Sequence, residues 1–171
     1  MKIAAAFLLF AIVSAPASAA TAPRITSIAN LADLPTPLPF PYDASADANR
    51  DVDAALARAK SEHKLALIDL GGNWCGDCRV LAGLMQLPEM KAFIDAHYVV
   101  VGVDVGRFNK NLQIPDRWNA TKDMKSSGVP ALLIVDPETN KLVDAGRIAA
   151  LEDARHMTPQ AIADWLAQWV K

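Results

Sequence analysis

The sequence predicts an α/β fold, a mixed sheet covered by helices, and three observations carry that expectation. Residues 65–70 and 98–105 are short, almost wholly apolar runs of the kind that form strands buried on both faces. Stretches with apolar residues at spacings of three and four flank them, as helices packed on a sheet require. A Cys-x-x-Cys pair, Cys75 and Cys78, falls where the first apolar run turns into a helix.

The elements follow in order. Met1-Lys2, the uncharged apolar run 3–13, the break at Ser14-Ala15-Pro16 and Ala17-Ser18-Ala19 predict a secretory signal peptide over residues 1–19. The apolar run, about 11 residues, is too short for the roughly 20 needed to span a bilayer. Residues 20–45 form an arm punctuated by Pro23, Pro35, Pro37, Pro39 and Pro41, extended and not helical. Leu31, Leu34, Leu38, Phe40 and Tyr42 suggest that part of it docks on the domain, which occupies 46–171.

Residues 48–61 predict an alanine-rich helix whose inner face carries Val52, Ala55, Leu56 and Ala59. The strand over 65–70 ends in a Gly71-Gly72-Asn73 turn, and Cys75 opens a second helix. Pro88 bends or restarts that helix, which runs on to Ala96. After the strand over 98–105, residues 106–125 read as a polar connection with one short helix near 116–119. A third strand over 131–135 joins residues 141–145 as a hairpin through the Asp136-Pro137-Glu138-Thr139-Asn140 turn. Thr158-Pro159 starts a last helix lined inwardly by Ile162, Trp165, Leu166 and Trp169.

Charge narrows the function classes. The formal net charge is −2, and loss of the leader with Lys2 makes it −3. There is no basic patch or long charge run, which argues against nucleic acid and against membrane surfaces as partners. The product is expected to be soluble, monomeric, not stably inserted in a membrane, and periplasmic or secreted.

The two cysteines lie in one C-x-x-C of a chain read as exported to an oxidising compartment. A structural framework would close long loops, whereas a bridge over two residues constrains the unfolded chain little. The pair therefore reads as chemistry. A thiol attacks a disulfide only as thiolate, and Cys75 sits where free N–H groups and the positive end of a helix dipole face its sulfur. Cys78 follows one turn later on the same face.

The run Leu70-Gly71-Gly72-Asn73-Trp74-Cys75-Gly76-Asp77-Cys78-Arg79 resembles the active-site segment of the thioredoxin family, and its exported members in particular. Asp69, six residues before Cys75, matches the family's buried acid. Val129-Pro130 before a strand matches its cis-proline, and Val103 to Asn111 matches a further run of the exported members. The resemblance covers residues 46–171 and leaves the proline-rich arm unexplained. It implies a three-layer α/β/α sandwich around a mixed sheet, and a thiol–disulfide oxidoreductase with Cys75–Cys78 as its redox disulfide. By the same resemblance Cys75 attacks, Cys78 resolves, Asp69 moves the proton, and Val129 and Pro130 hold substrate backbone. Trp74, Gly76 and Asp77 shape the substrate face. The stretch Val99 to Val101 lacks the lysine that often stands beside the acid in this family.

Burial should raise the Asp69 pKa. A negative Asp77 next to Cys75 should disfavour its thiolate, with Arg79 offsetting part of the effect, which points to a reductant or electron carrier. No organic cofactor or metal is required. The expected partners are disulfide-bearing proteins, or small disulfides, and a thiol reductase that recycles the enzyme. Two other classes compete: a copper metallochaperone using the cysteines with His156, and a non-catalytic adaptor with permanently bridged cysteines. His63 and His97 read as surface residues.

Overall fold

A computed structural model describes residues 20–170. The signal-peptide reading of residues 1–19 lies outside the described residues. Helix α1 (Ala48–Ser61) is capped by Asp47, whose carboxylate accepts the Arg50 N–H, and leads into strand β1 (Leu65–Gly71). Helices α2 (Gly76–Met85) and α3 (Pro88–His97) follow, then strand β2 (Tyr98–Asp104). Two short helices, α4 (Gln113–Asp116) and α5 (Thr121–Ser127), precede strand β3 (Ala131–Asp136), strand β4 (Lys141–Leu142) and helix α6 (Pro159–Ala167).

The sheet order is β2-β1-β3-β4. β1 runs parallel to β2 and antiparallel to β3, with Asp69 opposite Gly102 on one side and Leu132 on the other. Each face of the sheet is covered. Ala66, Ile68 and Leu70 of β1 pack with Val52, Ala55 and Ala59 of α1. Leu67 packs against Leu81 and Leu84 of α2, Met90 of α3 and Ile162 of α6. The two covered faces explain why β1 reads as a run that is apolar but for Asp69, and they make the three-layer α/β/α sandwich.

Several boundaries differ from expectation. Of the two expected outcomes at Pro88, a bend or a restart, the structure shows the restart: Leu87 adopts ψ 141° ahead of Pro88, which opens α3 as a separate helix. The 106–125 segment, read as a connection with one short helix near 116–119, instead holds α4 and α5. Ile114 and Met124 seal the α1 face from there. The hairpin strand stops at Leu142, not Ala145. The Asp144 carboxylate accepts the Ile134 N–H at 3.1 Å, so a side chain takes a ladder position that backbone would have filled. The Thr158 hydroxyl caps α6 as expected, accepting the Ala161 N–H.

The proline-rich arm wraps the helical face. Gln160 of α6 holds the backbone of Ile25 and Pro23, and Glu89 of α3 accepts the N–H groups of Thr26 and Ser27. A one-turn 3-10 helix, Leu31–Asp33, forms in the stretch free of proline and buries Leu31 and Leu34 against α2 and α3. Arg79 then donates to the carbonyls of Leu38 and Pro39 and lies 4.1 Å above the Phe40 ring. Tyr42 and Asn73 exchange hydrogen bonds at 3.1 and 2.7 Å, which joins the end of the arm to the turn before Cys75. Among the described residues no helix is long and apolar enough to cross a membrane.

Candidate functional site

Cys75 is the N-cap of α2, and its side chain is bonded to Cys78 in a disulfide. The Cys78 N–H donates to Cys75 Sγ at 3.1 Å. This amide and the helix dipole are the stabilisers that a thiolate at Cys75 needs. Cys75 is 5 % exposed and Cys78 0 %, so the first sulfur meets an incoming disulfide and the second waits behind it. The Val129–Pro130 bond is cis, and the Val129 carbonyl oxygen lies 3.4 Å from Cys75 Sγ. Gly128, at φ 129°, lets the chain leave α5 and reach this position.

Trp74 is 46 % exposed beside the disulfide. Its indole N–H donates to the Gly106 carbonyl at 2.8 Å, Arg107 covers its ring at 4.8 Å, and Phe108 meets it edge-on. The Val103 to Asn111 run thus supports the tryptophan. Asp104 holds the loop by accepting the Gly106 N–H and pairing with Lys110.

The site differs from expectation at Asp77. Its partner is not Arg79, which binds the arm, but Arg155 from the segment before α6. Arg155 donates its own backbone N–H to Asp77 Oδ1 at 2.9 Å and its Nε to both carboxylate oxygens at 3.0 Å, with Nη2 completing the pair. Burial alone would raise the Asp77 pKa, but these hydrogen bonds and the guanidinium charge hold it below the ordinary carboxylate range. Asp77 therefore stays ionised with its charge compensated. Arg155→Met should leave that charge open beside Cys75, disfavour the thiolate and make the couple more reducing. Arg155 is half exposed, so solvent screening keeps the expected shift to about 10–30 mV, measured by equilibration with a thiol buffer.

Asp69 lies on the α2 side of β1, 3 % exposed and two residues before Gly71, where an added Cβ would lie 2.8 Å from Cys78 Sγ. Burial pushes its carboxyl up to about 7, against the pull of a hydrogen bond from Tyr42. That value suits a group that exchanges protons near neutral pH. A cleft of about 250 Å³, lined by Pro41, Met85, Gln86 and Gly102 among others, reaches Asp69 from the surface. Opposite it on β2 stands Gly102, where an added Cβ would come within 3.0 Å of the Pro41 carbonyl. The arm packs against this glycine, and Val99 to Val101 of the same strand carry no lysine.

Two partners of the site, Tyr42 and Arg155, escape sequence reasoning. Gly102 is the available signal for the first, since a glycine inside a buried strand marks a close approach of another chain segment. Arg155 lies 78 positions from Asp77 and leaves no local signal. His156 is exposed and paired with Asp153, and among the described residues no three His, Cys, Asp or Glu side chains converge as a metal site.

Comparisons with known proteins bear on the family and the fold. None of the curated proteins matches the chain. A crystal structure described as the disulphide isomerase from Xylella fastidiosa Temecula1 is similar at a TM-score of 0.69 and 37 % identity, over 76 % of this chain and 96 % of that one. A family model described as thioredoxin-like matches residues 47–137. With its sandwich fold and its Cys75–Cys78 disulfide at a strand-to-helix turn, the chain belongs to the thioredoxin-like family, whose chemistry is thiol–disulfide exchange.

Proposed function

We propose that the protein is an exported protein-disulfide reductase or electron carrier that passes two electrons from Cys75 and Cys78 to disulfides of other proteins. In the reducing half-reaction the Cys75 thiolate attacks one substrate sulfur and releases the other as thiolate. Cys78 loses its proton to Asp69 and attacks Cys75 Sγ, which re-forms the disulfide and frees the substrate. A second thiol protein then returns the pair to the reduced form. Val129-Pro130 presents backbone to an extended substrate segment, and Trp74 supplies an apolar wall beside the reacting sulfur.

One observation carries the direction. A strong oxidant needs an exceptionally stable thiolate. Here the residues between the cysteines, Gly76 and Asp77, bring no cation, and the nearby guanidinium groups are engaged elsewhere: Arg155 by Asp77, Arg79 by the arm carbonyls and Arg107 by the Trp74 ring. The thiolate is left with the Cys78 amide and the helix end. The expected potential lies well below the roughly −120 mV of a strong disulfide donor. Titration of the Cys75–Cys78 couple against a thiol buffer measures it, and a value near −120 mV would overturn the reducing direction.

Isomerisation is the second reading, favoured by the name of the similar Xylella structure. It uses the same attack by Cys75 and differs in release. A substrate with mispaired disulfides separates the two: an isomerase restores native pairing without net consumption of thiol, whereas a reductase consumes one equivalent of reductant per bond.

A further inference from the structure

We propose that Tyr42, delivered by the proline-rich arm, is a positioning residue for the proton transfer at Cys78, so that the arm forms part of the active site. The proposal rests on the oxidoreductase reading and names a component of its resolving step. Tyr42 is buried, and its hydroxyl donates to Asp69 Oδ1 at 2.9 Å. It also stands beside the resolving sulfur. A Cβ placed on Gly71 would overlap the Tyr42 hydroxyl and lie 2.8 Å from Cys78 Sγ, so both groups share the space above that glycine. The backbone is shaped for this entry: Gly71 and Gly102 clear the path, and the Asn73 side chain anchors Tyr42 through its N–H and its carbonyl.

The phenol keeps its proton at any working pH, because burial and the nearby Asp69 carboxyl both oppose its ionisation. It therefore acts as a permanent donor. When Cys78 gives its proton to Asp69, the carboxylate loses a charge and the Tyr42 hydrogen bond weakens. When Asp69 is ionised, that bond stabilises it. The balance is closed: the proton moves from Cys78 Sγ to an Asp69 oxygen, the electron pair left on Cys78 forms the bond to Cys75 Sγ, and the substrate sulfur departs with the pair from the mixed disulfide.

Other charges around Asp69 are already matched. Lys91 and Asp95 of α3, at the outer end of the cleft, pair with each other, and Asp104 at the end of β2 pairs with Lys110. Arg79 of α2 is turned to the arm carbonyls. In register with Asp69, β2 brings Gly102 and β3 brings Leu132, neither of them charged. Tyr42 is thus the side chain through which the arm acts on the acid.

The test is the pH dependence of mixed-disulfide resolution, followed by rapid mixing of the reduced protein with a model disulfide. Removing the hydroxyl in Tyr42→Phe withdraws a donor from the carboxylate, so Asp69 holds its proton more tightly. The midpoint of the acid limb should move up by about one pH unit. Fluorotyrosine incorporated at position 42 keeps the shape, donates more strongly and should move the midpoint down, which tests the idea even if Tyr42→Phe folds poorly. In an Asp69→Asn background neither replacement should shift the profile. Midpoints that coincide with the wild type in both variants would overturn the Tyr42 role while leaving the oxidoreductase reading intact. A wild-type protein that forms no mixed disulfide at all would overturn both.

Discussion

Cys75→Ser should abolish thiol-dependent reduction of a protein disulfide, leaving only the uncatalysed rate, while Cys78→Ala should retain attack and stall on the mixed disulfide. The difference follows from where the two sulfurs sit. Cys75 caps α2, receives the Cys78 N–H and is the sulfur with surface exposure, so serine there removes the only nucleophile that a substrate can reach. Cys78 is fully enclosed between α2 and the sheet and has no route to a bulky partner. Alanine at 78 leaves the Cys75 thiolate, its helix end and the Val129-Pro130 segment in place. The covalent adduct then accumulates, and non-reducing electrophoresis with mass spectrometry on extracts of cells producing the variant identifies its partners. If Cys78→Ala captures nothing while the wild type reduces disulfides, Cys75 is not the attacking residue. If the two variants lose turnover but Cys75→Ser captures partners instead, the order of the cysteines is reversed.

The parts of this site that sequence reveals are those fixed by short spacing. Cys75, Cys78 and Asp69 lie within ten positions of one another across one strand and one helix start; the placement of the cysteines follows from the strand-to-helix turn, and the role of Asp69 from the family resemblance. Pro130 becomes visible through the resemblance, as the proline that stands just before a strand. The central strands and α1 are legible because burial on two faces or on one stripe leaves a strong pattern. What is missed is held by partners distant in sequence. β4 ends early because the Asp144 side chain replaces a backbone partner at Ile134. α4 and α5 are too short to show a period, and each buries only a few residues. Arg155 reaches Asp77 from a segment whose path depends on the packing of α6. The arm is the clearest case: its apolar residues indicate docking, but only the fold shows that it ends with Tyr42 against Asp69.

Asp69→Asn should stabilise the oxidised protein at pH 8 while slowing resolution of the mixed disulfide, and the opposite signs make it the most informative single change. The folded-state pKa, about 7, is raised above the ordinary aspartate value of about 3.9. The folded state therefore holds the Asp69 proton more tightly than the unfolded chain does. The associated stability is fully present below pH ~4 and is lost as pH rises through about 7. A shift of about three units at roughly 1.4 kcal/mol each sets an upper bound of about 4 kcal/mol, and local relaxation reduces it to about 2–4. Asparagine cannot ionise, and its Oδ1 can still accept the Tyr42 hydroxyl, so the variant should escape this loss. Urea unfolding should show little difference at pH 4 and a gain for the variant at pH 8. The slope of stability between those values should diminish without vanishing, because Asp144 is also buried and raised to about 7. Resolution should slow by on the order of 10²-fold, the usual contribution of a positioned proton acceptor. Equal stability of variant and wild type at pH 8 would show that burial does not raise the pKa of this acid. A gain in stability with unchanged resolution would instead remove Asp69 from the proton path. If both effects appear together, the cost of burying Asp69 is the cost of its chemistry, since an amide of the same shape serves the fold better and the reaction worse.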